Sequence, residues 1–330
     1  MTRTGAAARI TRIFLLLALF GFDWRGYWVY SREEASGGVG PYLDFVHGVG
    51  PAPFQYRVGG VKIAGWLYGH AHVPFRYSFS LFDAIASFIA VMLAYELLRR
   101  SDVFRRSAAV VQWFGSAAFV SLVLYALAWQ DTYKKNETEP SAALLVGILA
   151  FWSARKLQPA LVAAGVLLLT LAASLVRADM ALCANLGIFA LALFMPRAGL
   201  ALPRRAALAV SGAGALLAVV MQALLIKVIY PHARHYDSAV FMLPHDIGHP
   251  LEVAQFLVYI APTLWLAREL RRGRGAADAA GLGLLLGAGP FVLLWMLLGR
   301  LEEVRIYLPF AIALTPLAAQ ALMLRAQEAD

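Results

Sequence analysis

The chain has 330 residues, 61% of them hydrophobic and only 15% charged, with 29 basic and 20 acidic side chains and a formal net charge of +9. That balance excludes a soluble globular domain: apolar stretches recur that could cross a hydrocarbon core of about 30 Å, each needing roughly 20 residues. No basic stripe interleaved with stacking aromatics accompanies the positive charge, so the expected partner is the lipid bilayer and not nucleic acid.

Residues 1–22 have the basic start and apolar centre of a secretory signal, but Asp23-Trp24-Arg25 follows in place of a small-residue cleavage site. They read as a retained anchor helix whose Arg9 and Arg12 snorkel to the inner interface. Residues 23–77 are polar and rich in aromatics, and are expected to form one large extracytoplasmic loop. Within it, Tyr42, Phe45, Val46 and Val49 fall at helical spacing over 41–49, and Val61, Ala64, Leu67 and Tyr68 do so over 58–70. Two short amphipathic helices lying along the membrane surface are predicted, with Pro41 in a first turn and Gly50-Pro51 as a stop. Helices packed under a soluble cap are the alternative.

Further apolar segments run over 78–98, 107–129, 140–154, 159–176, 180–195, 206–229, 251–267, 279–298 and 304–324, the one at 140–154 being short for a crossing. The expected fold class is all-α: one integral-membrane domain over 1–330, a polytopic transmembrane helical bundle of about 10 spans. Gly283, Gly287, Gly289 and Pro290 predict close helix packing and a kink. With alternating loops, most basic residues fall on the side of the N-terminus, among them Arg99, Arg100, Arg105, Arg106, Arg155, Lys156, Arg204 and Arg205. The positive-inside rule then places both termini in the cytoplasm. All 7 histidines and most of the acids fall on the opposite side, so ionisable chemistry is concentrated on the extracytoplasmic face.

Several groups there are candidates for chemistry. Asp23 sits one residue beyond the first apolar core, where a half-desolvated carboxylate could act as a general base or simply end the helix with Arg25; Glu33, Glu34 and Asp44 are substitutes. Tyr56 and Arg57 precede the second surface helix, and a guanidinium fork suits phosphate oxygens. Arg177 and Asp179 interrupt one long apolar run and predict a tight outer turn; Glu303 and Arg305 sit similarly before the last helix. His245 and His249 are four apart, but Gly248 and Pro250 argue against a regular helix between them, so no metal site is assigned. Cys183, alone in an apolar run, has no disulfide partner.

Together these positions resemble the GT-C superfamily of integral-membrane glycosyltransferases. Asp23 matches the catalytic acid after the first helix, the two surface helices match those of the first outer loop, PFQYRV matches an aromatic–arginine segment, and SLVRADMAL matches an arginine-plus-acid break between middle helices. The resemblance implies inverting transfer of a sugar from a polyprenyl-phosphate carrier to a glycan or lipid acceptor, at the outer face of a bacterial plasma (inner) membrane. Asp23 would serve as base, and Arg57, Arg177 and Arg305 would hold the departing phosphate. No DxD-type pair flanks Asp23, so no cofactor is implied and a divalent metal stays open. Competing readings are a polysaccharide polymerase or ligase, a transporter or flippase using Asp83 and Lys227, and a non-enzymatic scaffold.

Overall fold

The structure is a computed structural model that describes residues 3–52, 56–129, 137–196, 198–233, 241–271, 278–299, 301 and 303–329. Among the described residues it is predominantly helical, with no strand beyond an isolated bridge at Ala52. That is the form in which an apolar chain can pair every backbone donor and acceptor within each segment.

Helix α1 (Arg3–Ser36) runs far past its apolar centre, so Asp23, Glu33 and Glu34 are helical and not the start of a loop. No proline lies between Asp23 and Ser36, and the single Gly26 weakens a helix without ending it. Phe20, Trp24, Tyr27 and Trp28 stack along one side at the three- and four-residue spacings that make helix neighbours. Termination comes at Gly37, whose φ of +73° most side chains avoid.

The two predicted surface helices are present as α2 (Gly40–His47) and α3 (Val58–Gly69). Pro41 lies in the first turn of α2, but the stop is Gly48, at φ 86°, two residues before the expected Gly50. Tyr42, Val61 and Ala64 are buried with Tyr30, Phe75 and Phe79, whereas Val49 is exposed.

Then follow α4 (Phe75–Arg100), α5 (Asp102–Arg106), α6 (Ala109–Ala128), α7 (Thr138–Ser153) and α8 (Pro159–Phe194). After them come α9 (Arg204–Leu224), which continues into a π turn at Leu225–Ile229, α10 (Leu243–Ile247), α11 (Pro250–Arg271) and α12 (Ala279–Leu298). A 3-10 turn at Val304–Tyr307 leads into α13 (Leu308–Ala329). Seven of these, α4, α6, α8, α9, α11, α12 and α13, are long and apolar enough to cross a membrane. At 16 residues α7 falls short, as its sequence predicts. In α13, 89% of the apolar window is buried, against 22% to 44% in the other six, so the last helix is the most enclosed, packed among α4, α6, α7, α11 and α12.

Helix α8 is two helices. Only Arg177 leaves helical backbone, at φ −153° and ψ 89°. Asn185 Nδ2 nevertheless donates to Thr170 Oγ1 at 3.2 Å across a separation of 15 residues, which a straight helix would spread to about 22 Å. The two limbs therefore fold back on each other with Arg177 at the tip, the tight turn that the sequence predicts. Below the tip the second limb crosses α12 on glycines: a Cβ on Gly187 would lie 2.2 Å from the Gly283 oxygen and 2.3 Å from the Gly287 nitrogen. Small residues let helix backbones approach when lipid offers no hydrophobic drive for association. Gly187→Val should lower thermal stability in detergent by about 1–3 kcal/mol or more, whereas Gly212→Ala, whose nearest neighbour is Phe189 at 3.6 Å, should leave the unfolding midpoint within about 0.5 kcal/mol of wild type.

Candidate functional site

The tip of α8 lies at one end of the bundle, and charged residues from four other places in the chain meet it. Arg177 is wholly buried; its Nε donates to Asp179 Oδ1 at 3.2 Å and its Nη2 to Asp179 Oδ2, a two-pronged pair. Nη1 donates to the Ile306 carbonyl at 3.3 Å, and the guanidinium lies 5.4 Å from the centre of the Phe291 ring. The side chain thus ties the fold-back to the turn before α13 and cannot reach a ligand. Arg305, also buried, donates from Nη2 to Glu303 Oε1 at 3.1 Å.

Arg57 precedes α3 and is the exposed member of the three arginines, though only by 14% of its side chain. Its Nη1 donates to both oxygens of Glu137, at 3.0 and 3.1 Å. Burial alone would lower the Arg57 pKa; the carboxylates of Glu137, Asp179 and Glu303 more than offset this and raise it. One guanidinium therefore feels three acids from α7, the α8 tip and the turn before α13. Glu137 stands at the N-terminal end of α7, where the helix dipole also favours a negative charge.

Against this polar end opens a cavity of about 560 Å³. Tyr56, Arg57, Asp179, Gln222 and Lys227 supply its polar groups, and Leu182, Ile226, Phe291, Leu294, Trp295 and Leu298 are among its apolar walls. Lys227 sits on the π turn after α9, exposed, with Val228 and Ile229 exposed beside it. A larger cavity of about 780 Å³ lies at the opposite end, where Arg100, Arg105, Arg155, Lys156 and Asp278 meet.

Of the residues predicted from the sequence, Tyr56, Arg57 and Asp179 line the cavity, and Arg177, Glu303 and Arg305 stand against it. Asp23, Glu33, Glu34 and Asp44 do not line it. Glu34 faces Arg76 at 3.5 Å instead, and Asp44 is exposed on α2. His245 and His249 lie on a different corner, between α10 and α11. His235, Arg300 and Glu302 fall outside the described residues.

The sequence reading missed Glu137 and Glu139, both buried, which hide in a polar run and betray themselves only as acids just ahead of an apolar helix. It also missed the buried pair in which the Tyr30 hydroxyl donates to Asp83 Oδ2 at 2.9 Å. Comparison with known proteins adds nothing to this geometry: no protein-family model, curated protein or solved structure matches the chain.

Removing one member of a buried ion pair strands the other. Arg57→Met should therefore destabilise the protein by about 3–5 kcal/mol, read as a fall in the thermal midpoint in detergent. Adding Glu137→Gln to that variant should recover a large part of the loss; a double variant no better than Arg57→Met would show that the pair is not what holds these loops together.

Proposed function

We propose that the chain is a GT-C-like glycosyltransferase that moves a sugar from a polyprenyl-phosphate carrier to a hydroxyl of a lipid-linked or glycan acceptor. In this reading the two limbs of α8, together with α1 and α7, bring the bundle to about 10 crossings. Both termini are cytoplasmic, because the end carrying Arg100, Arg105, Arg155 and Lys156 is the positive one. The end holding Arg57 and the α8 tip is then extracytoplasmic.

The observation that carries the reading is the lopsided cavity. One end offers the cations of Arg57 and Lys227, and the remaining wall is almost wholly apolar. That suits an amphiphile with an anionic head and a long hydrocarbon tail, the shape of a polyprenyl phosphate. The phosphate is already a good leaving group, so the protein's task is to hold developing negative charge with preorganised cations. Arg57 and Lys227 take that role; Arg177 and Arg305 position the acids beside them.

An acid is needed only to accept the proton of the attacking hydroxyl. Asp179 lines the cavity with a 28% exposed side chain, so Asp179, and not Asp23, takes the role of base. The acceptor oxygen bonds to the anomeric carbon from the face opposite the phosphate, and the carbon–phosphate oxygen bond breaks with its electron pair leaving on the phosphate. The hydroxyl proton passes to Asp179, and the configuration inverts.

Mass spectrometry of lipid-linked sugars in membranes carrying wild type, Asp179→Asn, Lys227→Gln or no protein tests this. Wild type should consume a polyprenyl-phosphate sugar that accumulates in the other three membranes. Asp179→Asn, which also removes the countercharge of buried Arg177 and is therefore scored per folded protein, should slow turnover by about 10²–10⁴, and Lys227→Gln, which touches no buried pair, should raise the KM for the donor. A polyprenyl-phosphate sugar pool identical in all four membranes would reject the proposal. A donor redistributed between leaflets without being consumed would favour a flippase.

A further inference from the structure

Away from the cavity, at the corner between α10 and α11, three metal-ligating side chains meet. His245 lies on α10, His249 in the turn, and Glu252 in the first turn of α11. One ligand atom from each falls within 4.8 Å of the other two. The imidazoles face each other with ring centres 4.3 Å apart and planes 23° from parallel. His249 Nδ1 lies 2.7 Å from the His245 carbonyl. A carbonyl only accepts, so Nδ1 carries the hydrogen and the neutral ring keeps its lone pair on Nε2. This is how backbone carbonyls orient histidine ligands in metal sites. Independently, Glu252 Oε2 is shut off from solvent and has no hydrogen-bond partner among the described residues. A carboxylate oxygen left so is costly unless something positive meets it.

We infer that His245, His249 and Glu252 form a binding site for a divalent transition-metal ion, with zinc the best match. Two imidazoles and one carboxylate are a borderline donor set, which disfavours magnesium and calcium and suits zinc, cobalt or nickel. Tetrahedral zinc with bonds of about 2.0–2.1 Å sets its ligand atoms roughly 3.3 Å apart, so small side-chain rotations would close the present spacing around an ion. Three protein ligands leave a fourth position for water or a substrate oxygen. The corner is fastened to the chain leading into the cavity: the Met242 N–H donates to the Leu297 carbonyl at 2.9 Å, and the Leu301 N–H to Asp246 Oδ1 at 3.4 Å. The ion would therefore brace the segment that carries Glu303 and Arg305. The inference does not depend on the glycosyltransferase reading.

The test uses full-length protein in detergent, stripped with a chelator and titrated with Zn²⁺ against a chromogenic competitor. The visible spectrum of the Co²⁺ form reports coordination. One equivalent per chain should bind, with at least about a tenfold loss of affinity in His249→Ala and in Glu252→Gln and no change in His232→Ala, an exposed histidine elsewhere. Glu252→Gln keeps the side-chain shape and decides the matter if the histidine variant does not fold. Absence of stoichiometric Zn²⁺, or equal affinity in wild type and Glu252→Gln, overturns the inference. Because metal binding is the only readout, its failure is distinct from failure of the proposed transferase activity.

Discussion

The arrangement depends on how Arg177 resolves the end of a helix inside apolar surroundings. Reversing the chain at one extended residue leaves the last carbonyls of one limb and the first N–H groups of the next without intrahelical partners. In a low-dielectric setting such groups must find others. A buried arginine at the tip is itself expensive unless it is paired and hydrogen-bonded. Asp179 supplies the countercharge from two residues on, the Ile306 carbonyl accepts a further bond, and Phe291 presents a ring face. The cost of the turn is thus met by residues that also fix where the hairpin docks. The limbs below then reach α7, α9 and α12, and the glycine crossing at Gly187 sets how closely the second limb can approach α12.

The same rule governs the other charges at this end. Arg57 is matched by Glu137, Arg177 by Asp179 and Arg305 by Glu303. Pairing in kind keeps the polar end close to neutral, which a site beside lipid requires. Lys227 departs from the pattern, standing on the outer rim of the cavity on a π turn. Extra residues of that sort within a helix often mark functional positions. Its ammonium stays exposed while the four-carbon stem can lie along the apolar wall. An anion arriving at the cavity would meet Lys227 first and Arg57 deeper in.

Much of this was readable from residue order. Apolar segments of bilayer length, interrupted by Arg177 and Asp179 or by Glu303 and Arg305, announce helices and polar turns, and those turns do meet at one end. Two things were not readable. Helix α1 continues to Ser36 because Asp23 and its neighbours are polar without being helix breakers, and a change in polarity resembles a change in structure. The partner of Arg57 is Glu137, 80 residues away, and pairing at such a separation is set by how helices pack and leaves no local pattern. Glu33, Glu34 and Asp44, read from the sequence as substitutes for Asp23 as base, do not line the cavity; Glu34 faces Arg76 and Asp44 is exposed.

The cavity wall offers a last consequence of packing. α12 contributes Phe291, Leu294, Trp295 and Leu298 to one side, on the same helix face whose Gly283 and Gly287, earlier in α12, make the close contact with α8. Phe291 belongs to both worlds, lining the cavity and facing the Arg177 guanidinium. Its ring is buried and packs at a tilt against Phe310 of α13 and against Tyr307 of the turn whose Ile306 carbonyl accepts the Arg177 hydrogen bond. A tail seated in the cavity would therefore press on the residues that hold the tip of α8, and through them on Asp179 two positions away. Occupancy of the apolar trough and placement of the carboxylate are joined by direct contacts, with no longer route required.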